Sequence, residues 1–80
     1  MGTFVIEAES DSSKQKDQAM YSALGQLVLS MGDPSPQITY VLAVPDSEQW
    51  KRQLIKIPAR IRELLRLQLW LVSEKGVRSV

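Results

Sequence analysis

The chain has 80 residues, 44% of them hydrophobic, with a formal net charge of +1 and neither cysteine nor histidine. Disulfides, thiol nucleophiles and zinc–thiolate sites are excluded, and the commonest general base and metal ligand is missing, so any chemistry rests on carboxylates, lysines, hydroxyls or a hard cation. One small core is expected at this length. No apolar run approaches the roughly 20 residues of a membrane span, and the first residues lack the basic leader of a signal peptide. A cytoplasmic protein with no membrane partner is the expectation.

The small net charge conceals a division along the chain. Residues 1–46 hold two lysines against six acids, net −4, and residues 47–80 hold eight basic side chains against three acids, net +5. Such a split fits an anionic partner for the second half, self-association of opposite surfaces, or neutralisation of one half by the other within the fold.

Residues 3–9 alternate, with Phe4, Ile6 and Ala8 on one side and Val5, Glu7 and Glu9 on the other, which predicts a first strand. "SDSSKQKD" then offers several N-cap residues. Met20, Leu24, Leu27, Val28 and Met31 follow at helical spacing, Gly32 is placed to cap the helix, and Asp33–Pro36 reads as a loop. "ITYVLAV" (38–44) is apolar on both faces, the pattern of a central strand. Asp46 and Gln49 suggest a capping box for a helix starting at Ser47. Pro58 predicts a break near Ile57 and a second helical piece with Pro58 in its first turn and Ile61, Leu64 and Leu65 facing inward. "LQLWLV" (67–72) is again a strand apolar on both faces, and "SEKG" with "VRSV" reads as a turn and a short return strand.

The predicted class is α/β, a single domain spanning 1–80, with a small, mostly parallel three-stranded sheet (βαβαβ) and a C-terminal β-turn with its return strand. Two strands apolar on both faces need cover on both faces. Oligomerisation would supply it, so a homo-oligomer is expected.

Glu7 and Glu9 lie on one face of a strand at the end that feeds a helix, where open α/β sheets place ligands. Two adjacent carboxylates repel unless a divalent cation, Mg²⁺ or Mn²⁺, takes oxygens from both; otherwise they are the solvated face of an edge strand. Lys16, Ala19, Ala23 and Gln26 share one edge of the first helix by their spacing, which would bring a cation towards the two acids. Lys51, Arg52, Lys56, Arg60, Arg62 and Arg66 cluster on the broken helix, where they could grip DNA or RNA phosphates, with Trp50 either a stacking surface or a core anchor. Ser10, Ser12 and Ser13 have no histidine to activate them, and no glycine-rich phosphate loop is present.

"VIEAES", a helix containing "ALGQLVLSM", "ITYVLAVPD", a further helix and "LQLWLVSEKGV" together resemble the second half of the PD-(D/E)xK nuclease superfamily, the restriction-endonuclease-like fold. The resemblance implies that Glu7 is the metal-binding acid and Gln26 the helix glutamine, with Mg²⁺ or Mn²⁺ as cofactor. It also places Glu9 where the family has its lysine, and the upstream acid of the motif has no counterpart in these 80 residues. Lys16 is either a solvated residue whose stem covers apolar surface, the favoured reading, or, if activity is retained, the motif lysine moved to the helix, making Glu7, Glu9, Lys16 and Gln26 the candidate catalytic set. The leading expectation is a small, oligomeric, catalytically degenerate nuclease-like protein acting in nucleic-acid binding or protein interaction. The alternative is an active Mg²⁺-dependent nuclease hydrolysing phosphodiester bonds.

Overall fold

The computed structural model describes residues 2–10, 14–32 and 37–80. In order these form β1 (Thr3–Ala8), α1 (Lys16–Ser30), β2 (Ile38–Pro45), α2 (Glu48–Leu54), α3 (Ala59–Leu65), β3 (Leu67–Ser73) and β4 (Gly76–Ser79). The sheet order is β1-β2-β3-β4, with the first three strands parallel and β4 antiparallel to β3. The return strand is thus a full fourth member of the sheet.

The sequence explains most of these boundaries. Ser47, one residue after the expected cap, starts α2 by accepting a hydrogen bond from the backbone N–H of Trp50 at 3.2 Å. Asp46 is engaged elsewhere, as described below. Pro58 has no N–H to give to Leu54, whose carbonyl accepts from Ile57 instead in a tighter turn at 3.0 Å. Pro58 is then the N-cap of α3 rather than its first residue, its carbonyl accepting from Ile61 and Arg62 at 3.0 and 3.1 Å. A single residue, Arg66, in the left-handed region (φ 54°, ψ 43°), turns the chain from α3 into β3. Its carbonyl accepts from Tyr40 N–H at 3.0 Å, which fixes the turn to β2.

Several local expectations are corrected. α1 ends at Ser30 with Met31 extended (φ −75°, ψ 112°), so Gly32 is not a left-handed cap; the Ser30 hydroxyl instead donates to the Leu27 carbonyl at 2.7 Å. Its buried residues are Met20, Ala23 and Leu27, whereas Val28 is exposed. In α3, Leu64 is 72% exposed and Ile61 is at the surface, and only Leu65 packs against the core. Seven residues make two turns and present one narrow face, too little to bury three apolar side chains. The expected N-caps among 11–13 and the loop 33–36 lie outside the described residues.

The core lies on one side of the sheet. Tyr40, Leu42 and Val44 of β2 and Leu67, Leu69 and Leu71 of β3 meet Met20, Ala23 and Leu27 of α1 and Trp50, Leu54 and Ile57 of the α2 segment. This one-sidedness follows from topology. Crossovers of one hand between successive neighbours 1-2-3 lay both helical connections on the same face. The alternate residues form the other face: Phe4, Ile6 and Ala8 of β1, Thr39, Val41, Ala43 and Pro45 of β2, Gln68, Trp70 and Val72 of β3, and Val77 and Ser79 of β4. None is charged. Cover on both faces was the expectation from the strand patterns, but the buried residues of α1 and α2 belong to a single cluster on the first face.

Candidate nucleic-acid interface

The parallel strands have two chemically different ends. At their carboxyl end, Glu7 and Glu9 are half-buried on the side of β1 that faces the helices, while Ala8 between them is exposed. Glu9 N–H donates to the Ala43 carbonyl at 3.0 Å, so the ladder continues past the last strand residue and holds the second glutamate in the strand's alternation. The two side chains therefore share a face, as their spacing requires.

Lys16 is the first residue of α1 and half-buried. Its Nζ lies 5.7 Å from the centre of the Trp50 ring, within cation–π range. Trp50 itself is fully buried, so it anchors the core and is not a surface on which a base could stack. Its indole Nε1 is shielded from water without a hydrogen-bond partner. Gln26 is exposed in the last turns of α1. Ten residues from Lys16, it lies about 15 Å further along the helix axis. Lys16 and the glutamates thus gather at one end, and Gln26 lies towards the other.

As a divalent-cation site, the two glutamates fit in kind. Mg²⁺ is held by one or two carboxylates, with water and phosphate oxygens filling the remaining positions. Among the described residues no group of three or more Asp, Glu, His or Cys could hold a metal ion. Among the described residues Glu7 and Glu9 would therefore be the carboxylate ligands, and a cation held there would supply polarisation of a phosphate oxygen.

The basic residues follow a different geometry. Lys51, Arg52, Lys56, Arg60 and Arg66 are exposed and Arg62 is half-buried. The buried residues Trp50, Leu54 and Ile57 point to the sheet, which leaves Lys51, Arg52 and Lys56 on the outer side of α2 and the turn after it. Between Glu48 and Arg66 there are six basic side chains and two acidic ones, net +4. The segment ends at a cleft of about 580 Å³ at the amino end of β3, lined by Thr39, Arg62, Arg66, Gln68 and Ser79 among others. Arg62 Nη1 donates to the Val80 carbonyl at 3.0 Å, and its Nε is shielded without a partner. Thr39, Gln68 and Ser79 carry no sequence signal of this role. Their assembly depends on sheet register alone.

One ion pair ties the two halves of the chain together. Arg78 of β4 forks onto Asp46, Nη2 to Oδ1 at 2.7 Å and Nε to Oδ2 at 2.9 Å. The hydrogen bonds from Arg78 hold the Asp46 carboxyl below the usual range for an aspartate, and the carboxylate raises the guanidinium in return. Asp46 is thus a structural partner of β4 and not the helix cap.

Among the described residues no helix is long and apolar enough to cross a membrane. Comparison with family models, with curated proteins and with solved structures gives no match to this chain.

Proposed function

We propose that the protein binds nucleic acid through the basic outer side of α2 and α3, and that it does so without a complete catalytic centre. The observation that carries this reading is the net +4 of residues 48–66, displayed away from the core and running into the arginine-lined cleft. Such a surface meets a phosphate backbone by releasing its condensed counterions. Its cations lie on two successive short helices and the turn between them, with Arg66 directly after the second. A cytoplasmic setting is in keeping with the absence of a spanning helix among the described residues. The resemblance to the second half of the PD-(D/E)xK fold supports the same class of partner, and the glutamate at position 9 in place of the family's lysine supports loss of cleavage.

The test is affinity for a DNA duplex and for single-stranded RNA across a salt series. Each phosphate contact contributes a slope of about −0.9 for duplex or −0.7 for single strands in log K against log salt. Arg60→Gln and Lys56→Gln should each lower the slope by about one contact without changing sequence preference. Affinity that neither salt nor these substitutions alter would sink the reading.

A second reading is favoured by the placement of Glu7, Glu9 and Lys16 at one end of the sheet. There the protein is a Mg²⁺-dependent nuclease, with the two carboxylates holding the cation and Lys16 offsetting charge on the phosphate. Cleavage that requires Mg²⁺ or Mn²⁺ and disappears in Glu7→Gln would establish it. Equal cleavage by that variant and the parent chain would dismiss it.

A further inference from the structure

We infer that the cleft beside α3 is a site for a single phosphate monoester, carried by the end of a nucleic-acid strand or by a free nucleotide. That a strand end is the source rests on the nucleic-acid reading of the basic surface. The phosphate chemistry rests on the cleft alone.

The first argument is shape. Phosphates in the interior of a strand are met on an open surface, of the kind that exposed Lys51, Arg52 and Lys56 provide. The hollow at the amino end of β3 differs in kind. Its volume of about 580 Å³ falls within the roughly 300–1,000 Å³ of clefts that take small molecules. Three strands and a helix build it: Thr39 comes from β2, Gln68 from β3, Ser79 from β4, Arg62 and Glu63 from α3, and Arg66 from the turn that follows. Arg62 and Arg66 belong both to the basic segment and to the cleft, which joins the two surfaces.

The second is the state of Arg62. The side chain is half-buried, and its Nη1 is tied to the Val80 carbonyl at 3.0 Å. Its Nε is closed to water and has no partner among the described residues. A guanidinium already held in place and partly stripped of water gives up little freedom and little hydration when an anion arrives.

The third is the number of donors, which selects phosphate over carboxylate. Beside the two guanidiniums stand the hydroxyls of Thr39 and Ser79 and the amide of Gln68. Gln68 Oε1 already accepts from Trp70 Nε1 at 3.0 Å, so the amino group is what this amide has left to offer. A carboxylate presents two oxygens in one plane and is satisfied by one arginine fork. A phosphate monoester presents three acceptor oxygens and a charge of about −1.5 to −2 at neutral pH. It needs donors from several directions, as this lining supplies.

The fourth is Glu63. Two arginines and one glutamate leave the lining with a net charge of +1. That suits one phosphate and opposes a run of them, because each further phosphate brings negative charge towards Glu63 without another cation to meet it. A phosphodiester within a strand carries a single charge and has less to gain here than the monoester at its end.

The test is fluorescence anisotropy of the full chain with single-stranded oligonucleotides of about ten nucleotides, identical except for a phosphate at the 5′ end, at the 3′ end, or at neither. One phosphorylated form should bind roughly tenfold or more tighter than the hydroxyl form, the scale of an added charge-assisted contact. Arg62→Gln and Arg66→Gln should each reduce that ratio to about twofold or less. Lys51→Gln, outside the cleft, should weaken binding of all three and leave the ratio unchanged. Circular dichroism reports folding, and Arg66, exposed on its turn, keeps the test decisive if Arg62→Gln disturbs the end of β4.

A second measurement needs no variant. In amide NMR spectra of the isotope-labelled chain, adenosine monophosphate should move Thr39, Gln68 and Ser79, which lie on three different strands, and adenosine should not. Equal affinity for phosphorylated and hydroxyl ends, with no shift in the cleft, would overturn the inference; salt-dependent binding of every oligonucleotide would still leave the nucleic-acid reading standing. Adenosine monophosphate that binds in the cleft while strand ends are not distinguished would uphold the phosphate site and assign it to a free nucleotide. An end preference that survives both arginine variants would lie elsewhere on the chain and overturn the inference as well.

Discussion

Phe4 and Trp70 meet edge to face across the central strand, their ring centroids 6.1 Å apart and their planes at 80°. The two residues stand on β1 and β3, one strand apart on either side of β2, and the strand between them carries Val41, which is fully buried although no helix of the core cluster lies over it. The aromatic pair is therefore the local roof of β2 on the open face. Such pairs contribute about 0.5–1.5 kcal/mol beyond the area they bury. In urea unfolding, Phe4→Ala and Trp70→Ala should each destabilise the chain, and the double variant should lose less than the sum by an amount in that range. Strict additivity would mean that the rings do not support one another.

Trp50 gives a prediction that separates volume from polarity. Truncation to alanine should cost about 3–5 kcal/mol, a quarter or more of the roughly 4–12 kcal/mol expected for a chain of this size, and lower the unfolding midpoint sharply. Trp50→Phe keeps the ring under Lys16 but removes the indole N–H that has no partner. The relieved donor, worth about 1–3 kcal/mol, should offset most of the lost volume. Chemical denaturation of the two variants would give widely different midpoints.

Arg66 holds a left-handed conformation that glycine adopts without cost. Arg66→Gly should relieve up to about 1 kcal/mol of backbone strain while deleting a guanidinium from the cleft. The variant is expected to melt at higher temperature and to bind polyanions more weakly. A stabilised variant with undiminished affinity would remove Arg66 from the interface.

The Asp46–Arg78 fork predicts the acid limb of stability. Asp46 has its folded pKa lowered by Arg78, so its contribution is fully present above the unfolded value near 3.8 and is lost as pH falls through the lower folded one. Thermal melts of Asp46→Asn and the parent should converge below that window and separate above it, with the parent the more stable. The difference should be modest, because the pair stands at the surface and salt screens it.

What the sequence disclosed, and what it hid, divides along the range of the forces involved. The breaks at Pro58 and the strands 38–45 and 67–73 follow from backbone chemistry and apolar runs that are complete within a few residues. The choice of Ser47 over Asp46 as cap does not, since Arg78 draws the aspartate away from 32 positions downstream. The alternation of β1 sorts Phe4, Ile6 and Ala8 from Val5, Glu7 and Glu9, but it is silent on which set faces the helices. The helices chose the side with the glutamates, because the hand of successive crossovers fixes the covered face and strand order is a property of the whole chain. For the same reason the carboxylates could be paired on one face from their spacing, whereas the cleft beside Arg62 and Arg66 has no local signature.

The placement of the two tryptophans has an experimental consequence of its own. Trp50 is sealed beneath the helices, while Trp70 is partly exposed on the open face. Their emission should differ, one shifted to the blue and indifferent to dilution, the other redder and accessible to a soluble quencher such as iodide. The chain thus carries two intrinsic optical reporters on opposite sides of a single sheet, one sensitive to melting of the interior and one to whatever comes to rest on its outer surface.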